Sequence, residues 1–197
     1  MAGTVSVVIP VKDGAERLEE VLAAVRAQGD VELIVIDSGS HDRSPEISRA
    51  AGVELIEIPP EDFGHGRTRN LGAERSSGDL ICFLTQDAVP VDGWLGAYRH
   101  AFTLDERVGA AFGPHLPHPD TSPMIARELT EFFRGFAPDG RPAWWAAARG
   151  SQRARPAAPI PCSLIQWASR TSSRAACFGC SASTCPVVSR SPRYSSK

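Results

Sequence analysis

The chain has 197 residues, is 42% hydrophobic and 22% charged, and carries a net charge of −2, the composition of an ordinary soluble globular domain with one good core. No apolar run is long enough to span a bilayer, and the N-terminus lacks the series of a secretory signal. With Cys82 as the one cysteine before the tail, no disulfide framework is expected there, and a cytoplasmic location is. The charge is unevenly spread. All 23 acids lie between Asp13 and Asp139, whereas residues 141–197 hold nine of the 21 Lys and Arg and no acid. Such a cliff marks two segments of different character.

The chain opens on an apolar run, Val5 to Val11, read as a buried strand that ends at Lys12-Asp13. Asp13-Gly14-Ala15-Glu16 has the spacing of a capping box, and Leu18, Val21, Leu22 and Val25 follow at helical spacing. Glu32 to Ile36 reads as the second strand, running into Asp37-Ser38-Gly39-Ser40. Ser44 is a natural N-cap with Pro45 behind it, and Gly52 is a stop before a third strand, Val53 to Ile58. Pro59-Pro60 breaks the pattern. Arg67 to Arg75 is a predicted helix, Leu80 to Leu84 a fourth strand running into Thr85-Gln86-Asp87, and Gly93 to Ala101 a helix capped by Asp92. Val108 to Phe112 is the expected fifth strand, and Met124 to Phe133 is amphipathic. Past Gly140 the periodicity stops. Strand and helix alternate with short connections, so a mostly parallel α/β sheet is expected. In such a sheet the central strands are buried on both faces and read as continuous apolar runs.

Ligands bind outside the carboxyl ends of parallel strands, where Asp37 and Asp87 fall. A carboxylate at Asp37 can accept two hydroxyl hydrogens or a base N–H; Asp-Ser-Gly-Ser is equally good turn chemistry. Asp87 offers the hard oxygen that Mg²⁺ or Mn²⁺ prefers, though a lone Asp before Pro90 is more often a loop residue. Arg67, Arg69 and Asn70 at a helix start could face phosphate or simply form a solvated face with Glu74. His65 could contact an anionic ligand or an acceptor, though a loop histidine with no role is the commoner case, and His115 and His118 read as structural. Cys177 and Cys180, with Cys185 nearby, resemble half a zinc site without the other half, so no metal is expected there. A phosphate-binding G-x-x-x-x-G-K-[ST] loop is absent, and Pro10-Val11-Lys12-Asp13-Gly14 is not a dinucleotide fingerprint.

Taken together, four ordered segments resemble the family 2 glycosyltransferases of the GT-A fold: Val5 to Asp13, Val35 to Asp42, Gly66 to Gly72, and Leu84 to Ala88. The resemblance covers about residues 5–140. It implies a GT-A (Rossmann-like), mostly parallel sheet flanked by helices and incomplete at the C-terminus. It also implies a nucleotide-sugar site in which Pro10, Val11, Lys12 and Asp13 line the nucleotide pocket. Asp37 would hold the base or ribose, Arg69 would lie near the diphosphate, Gln86 would be part of the donor site, and Asp87 would hold Mg²⁺ or Mn²⁺. Thr85 stands where the family's metal motif has its first Asp. Thr-Gln-Asp-Ala is similar to rhamnosyltransferase-like members, which points to a deoxyhexose donor such as dTDP-rhamnose. The implied reaction is inverting transfer to a saccharide or lipid-linked acceptor of a bacterial cell-wall polysaccharide, with peripheral association at the inner face of the membrane. The family's general base is an acid downstream, and residues 141–197 contain none. The expectation is therefore a nucleotide-sugar domain over 1–140 and a basic, low-order tail over 141–197 that is out of frame or otherwise unrelated to it. A truncated, non-catalytic nucleotide-binding remnant is the alternative. A nucleotidyltransferase would want a Gly-rich basic signature after the first strand, and the scattered tail arginines argue against a nucleic-acid partner.

Overall fold

The computed structural model describes residues 4–104 and 108–136, and the backbone of 143–146, 155–159 and 188–190. Cys177, Cys180 and Cys185, and most of the tail expected to be out of frame, lie outside the described residues. The chain divides into two compact units, Met1–Phe112 with Gln166–Lys197, and Gly113–Ile165. Among the described residues no helix is long and apolar enough to cross a membrane.

In the first unit the apolar runs become the parallel strands β1 (Val5–Val11), β2 (Glu32–Asp37), β3 (Glu54–Glu57) and β4 (Leu80–Phe83), in the order β3-β2-β1-β4. Val5, Val7, Val8 and Ile9 are all buried, as a strand covered on both faces requires. Helix α1 (Ala15–Ala27) turns Leu18, Val21, Leu22 and Val25 inward, the expected stripe. Helix α2 (Ser44–Ala50) leads to β3, helix α3 (His65–Arg75) packs on β1 and β2, and helix α4 (Trp94–Ala101) follows β4. Close packing of α3 depends on Gly72, where a Cβ would lie 2.3 Å from Val8 Cγ1.

Several local expectations are corrected. Asp13 and Glu16 do not form a capping box: the α1 N-cap is Gly14, with no side-chain cap bond. Ser44 is the first residue of α2 and Arg43 its N-cap. Asp92 does not cap α4, whose N-cap is Gly93. Residues 108–112 form no strand. Val108 and Ala111 are nonetheless buried, so the run that resembled a strand signals burial without a ladder. The place beside β4 is taken by an antiparallel strand, Val188–Arg190. In the second unit, helix α5 (Pro123–Phe136) extends the expected amphipathic stretch, and Ala143–Ala146 pairs antiparallel with Arg155–Pro159.

The amino ends of β1, β2 and β4 are joined by a polar staple. Ser6, fully buried, donates its hydroxyl to Glu32 and accepts the Gly78 N–H at 2.8 Å. Ser77 donates to Glu32 through its N–H at 2.8 Å and its hydroxyl at 2.8 Å. Burial pushes the Glu32 carboxyl up, but these hydrogen bonds more than offset it and hold the group below its ordinary value of 4.5. A carboxyl held low contributes stability that is present above its unfolded pKa and is lost as pH falls through the folded one. The urea midpoint of Glu32→Gln is therefore expected to lie below that of the parent at pH 7, with the gap closing as pH drops below 4.5. A gap that widens on acidification would refute the staple.

Candidate functional site

At the other end of the sheet, β1 lies between β2 and β4, so three carboxyl ends and their loops meet on one rim. Val11 pairs with Asp37. Beyond it, Lys12 to Ala15 lead into α1, and every one of these four backbone N–H groups donates to a side chain from another loop. Lys12 N–H donates to Gln86 Oε1 at 2.7 Å and Asp13 N–H to Ser40 Oγ at 2.9 Å. Gly14 N–H donates to Ser44 Oγ at 2.9 Å and Ala15 N–H to Asp42 Oδ2 at 2.8 Å. The loop after β2 supplies two of these acceptors, the first residue of α2 a third, and the loop after β4 the fourth.

The contacts run both ways. Asp13 Oδ1 accepts the His41 N–H at 2.7 Å, and the Lys12 ammonium donates to the Gly39 carbonyl. Asp13 itself has φ +48°, the one positive φ of a non-glycine among the described residues. Such a conformation persists where its surroundings over-determine it, and here the bonds on both sides of Asp13 do so. Gly39, at φ +78°, must be glycine on two counts: the left-handed backbone, and Pro60 Cγ only 2.7 Å from where a Cβ would stand.

Asp37 closes β2 and is 2% exposed. Its Oδ1 accepts the N–H groups of Gly39 at 2.9 Å and Ser40 at 2.8 Å. Its Oδ2 is buried and has no hydrogen-bond partner among the described residues. Buried carboxylate oxygens are rarely left so, since the desolvation is then uncompensated. The turn reading of Asp37 holds for Oδ1, while Oδ2 is left as an open acceptor.

The remaining predicted residues divide. Pro10 is half-buried on the rim. Val11 is in the core, its carbonyl taken by the N–H and hydroxyl of Ser38, both at 2.9 Å. Gln86 commits its amide to Lys12, whose carbonyl accepts Nε2–H at 3.0 Å. Asp87 is exposed beside it. Arg69, on α3, donates from Nη1 to the His65 carbonyl at 2.9 Å. Arg67 donates to the Glu61 carbonyl at 3.1 Å near Asp62. His65 sits edge-on to Phe63, with centroids 5.0 Å apart. Among the described residues no three His, Cys, Asp or Glu gather as a metal cluster. Asp87 offers one carboxylate, which fits a Mg²⁺ or Mn²⁺ ion whose shell is completed by phosphate and water, not a resident all-protein cage.

An open groove of about 580 Å³ also runs along α3, between Ile58, Asp62, Arg67, Asn70, Leu71 and Glu74. It includes none of Lys12, Asp37, Gln86 or Asp87. The rim is the better candidate, because it alone combines strand carboxyl ends with an unsatisfied buried acceptor.

Ser40, Asp42 and Ser44 were not singled out from sequence as site residues. The signal is visible afterwards as short acceptors at alternate positions behind a turn glycine. Asp42 accepts the first N–H of α1 and also that of α2, from Ser44 at 2.9 Å, so one carboxylate caps two helices. Burial pushes its carboxyl up, and the hydrogen bonds from Ser44 and Ala15 more than offset this, leaving it below its ordinary value. Asp42→Ala should lower stability by about 1–2 kcal/mol, read as a fall in Tm; an unchanged Tm would dismiss the double cap.

A sequence model described as glycosyl transferase family 2 matches residues 6–143. The chain is similar to the O-antigen chain rhamnosyltransferase RfbN of Salmonella typhimurium, 35% identical over 124 residues, covering 61% of this chain and 40% of that one. It is also similar to the O-antigen chain rhamnosyltransferase WbaN of Salmonella anatum, 38% identical over 96 residues, covering 47% of this chain and 30% of that one. It thus spans well under half the length of these curated relatives. Among solved structures it is similar to glucosyl-3-phosphoglycerate synthase from Mycobacterium tuberculosis in complex with Mn²⁺, UDP and glucosyl-3-phosphoglycerate. That likeness has a TM-score of 0.49 at 25% identity, over 55% of this chain and 42% of that one.

Proposed function

Because the chain belongs to glycosyl transferase family 2, we propose that it takes a sugar from a nucleotide-diphosphate donor and transfers it to a saccharide or lipid-linked acceptor. The observation that carries this reading is Asp37 Oδ2, a buried anionic acceptor that no described residue satisfies, at the carboxyl end of a parallel strand. A base N–H or a ribose hydroxyl would complete it. Pro10, Val11, Lys12 and Asp13 form the wall beside it, and Arg69 serves the diphosphate end.

The committed amides bear on the phosphates. In many α/β folds the N–H groups after the first strand cradle a phosphate; here residues 12–15 give theirs to side chains. The charge of the diphosphate is then left to arginine and to a cation. Asp87 would hold Mg²⁺ or Mn²⁺, which stabilises the negative charge growing on the leaving diphosphate. An acceptor hydroxyl attacking from the opposite face of the sugar inverts the anomeric carbon. No residue is assigned as its general base. Thr85-Gln86-Asp87-Ala88 and the likeness to two O-antigen rhamnosyltransferases support a rhamnose donor, such as dTDP-rhamnose. A lipid-linked acceptor would put the protein in the cytoplasm at the inner face of the membrane.

The domain reading is part of the same proposal: residues 1–140 hold the donor, and residues 141–197 derive from a shifted reading frame. The family match ending at residue 143 and the acid-free tail support it. Translating the gene in its other frames should yield an acidic acceptor-domain sequence past Gly140; if no frame does, the frame shift is dismissed.

Calorimetric titration with UDP, dTDP and GDP, with and without Mn²⁺, tests the site. Binding is expected to tighten when Mn²⁺ is added. Asp37→Asn, which keeps the shape but turns an acceptor into a donor, should weaken it by about ten- to a hundredfold. Asp87→Ala should abolish the Mn²⁺ dependence. A parent-like affinity in Asp37→Asn would overturn the assignment.

A further inference from the structure

Resting on that reading, we propose that Gln86 is a positioning residue that couples the cation end of the site to its nucleotide end. It does so by tying the Lys12–Asp13 turn to the loop that carries Asp87. The sheet itself cannot do this. The β1–β4 ladder runs from Val5↔Leu80 to Val8↔Phe83, with a last bond from Leu84 N–H to the Val8 carbonyl at 3.0 Å. Beyond it β1 continues to Val11 paired with β2 alone, and the chain after β4 has left the sheet. Gln86 bridges the gap. Its side-chain amide accepts the Lys12 N–H at 2.7 Å and donates to the Lys12 carbonyl at 3.0 Å, a closed pair of bonds like that of an opposed antiparallel residue and unlike the slanted bonds of the parallel β1–β4 ladder.

Two further features hold the clamp in place. Gly14 forms its floor: a Cβ there would lie 2.8 Å from Gln86 Cδ and 2.9 Å from Oε1. Asp13, next to the clamped residue, has φ +48° and needs its neighbours fixed. Asp87 follows Gln86 directly in the chain. A cation held by Asp87 therefore orders the loop that pins Lys12, and a nucleotide ordering Lys12 and Asp13 orders that loop in return. Such coupling is reciprocal. A glutamine that instead touched the donor sugar would leave both the unliganded turn and the binding of a sugar-free nucleotide unaffected.

The test uses the full chain with Gln86→Met, which keeps the length of the side chain and removes both bonds. Gly14→Ala displaces the same amide with Gln86 intact, and serves if Gln86→Met does not fold. Without ligand, the Lys12 amide should exchange about tenfold faster in either variant. In titrations with UDP and dTDP, the ratio of affinities with and without Mn²⁺ should shrink about tenfold, whatever the change in affinity without Mn²⁺. A merely structural glutamine would weaken binding equally with and without Mn²⁺, and that result overturns the proposal, as does unchanged exchange at Lys12. The exchange measurement needs no ligand. A parent chain that binds neither nucleotide sinks the functional reading and the coupling with it, while exchange still decides the clamp on its own.

Discussion

Four consecutive peptide N–H groups, those of residues 12–15, leave β1 with no strand and no helical turn to receive them. Only Gly14 is buried, and Lys12 and Asp13 are exposed, yet each donor finds an oxygen on Ser40, Asp42, Ser44 or Gln86. The local geometry of the rim follows from that arrangement. It fixes the entry into α1, it holds Asp13 in a left-handed conformation, and it removes the strand-end amides from use as a phosphate nest. It also brings the loops after β2 and β4 against the loop after β1, so that Asp37 and Asp87 flank one turn.

The two ends of the sheet handle polar atoms differently. At the amino ends, Ser6, Glu32, Ser77 and Gly78 satisfy one another, and the carboxylate is held in its charged form. At the carboxyl ends Asp37 is buried where Glu32 is half-buried, yet one of its oxygens has no described partner. A chain that closes its buried hydrogen bonds at one end and leaves an anionic acceptor open at the other has an architecture suited to a ligand arriving from the second side. That contrast, within one small sheet, supports the donor-site reading more than any single motif does.

What was legible in the sequence is what short-range physics encodes. The apolar runs gave β1, β2 and β4, and the stripe Leu18, Val21, Leu22, Val25 gave the buried face of α1, because burial imposes a period on the chain itself. The helix starts were misread for the opposite reason. Asp13-Gly14-Ala15-Glu16 has local cap spacing, but the acceptors for Gly14 and Ala15 come from Ser44 and Asp42, some thirty and twenty-seven positions away. Only strand order brings them there. Val108 to Phe112 was misread because an apolar run reports burial and not the ladder partner. Gln86 was placed at the site for its position in a motif; that its amide would stand in for a missing strand cannot be seen before the point where β4 leaves the sheet is known.

The interlacing of these loops also limits how the domain can be recombined. A chimera that imports only the segment after β2 from a relative would bring foreign acceptors to amides they were not matched to, and α1 would begin badly. Residues 12–15, 38–44 and 85–87 form one heritable cassette, to be exchanged together or left alone, although forty residues separate its last two parts along the chain.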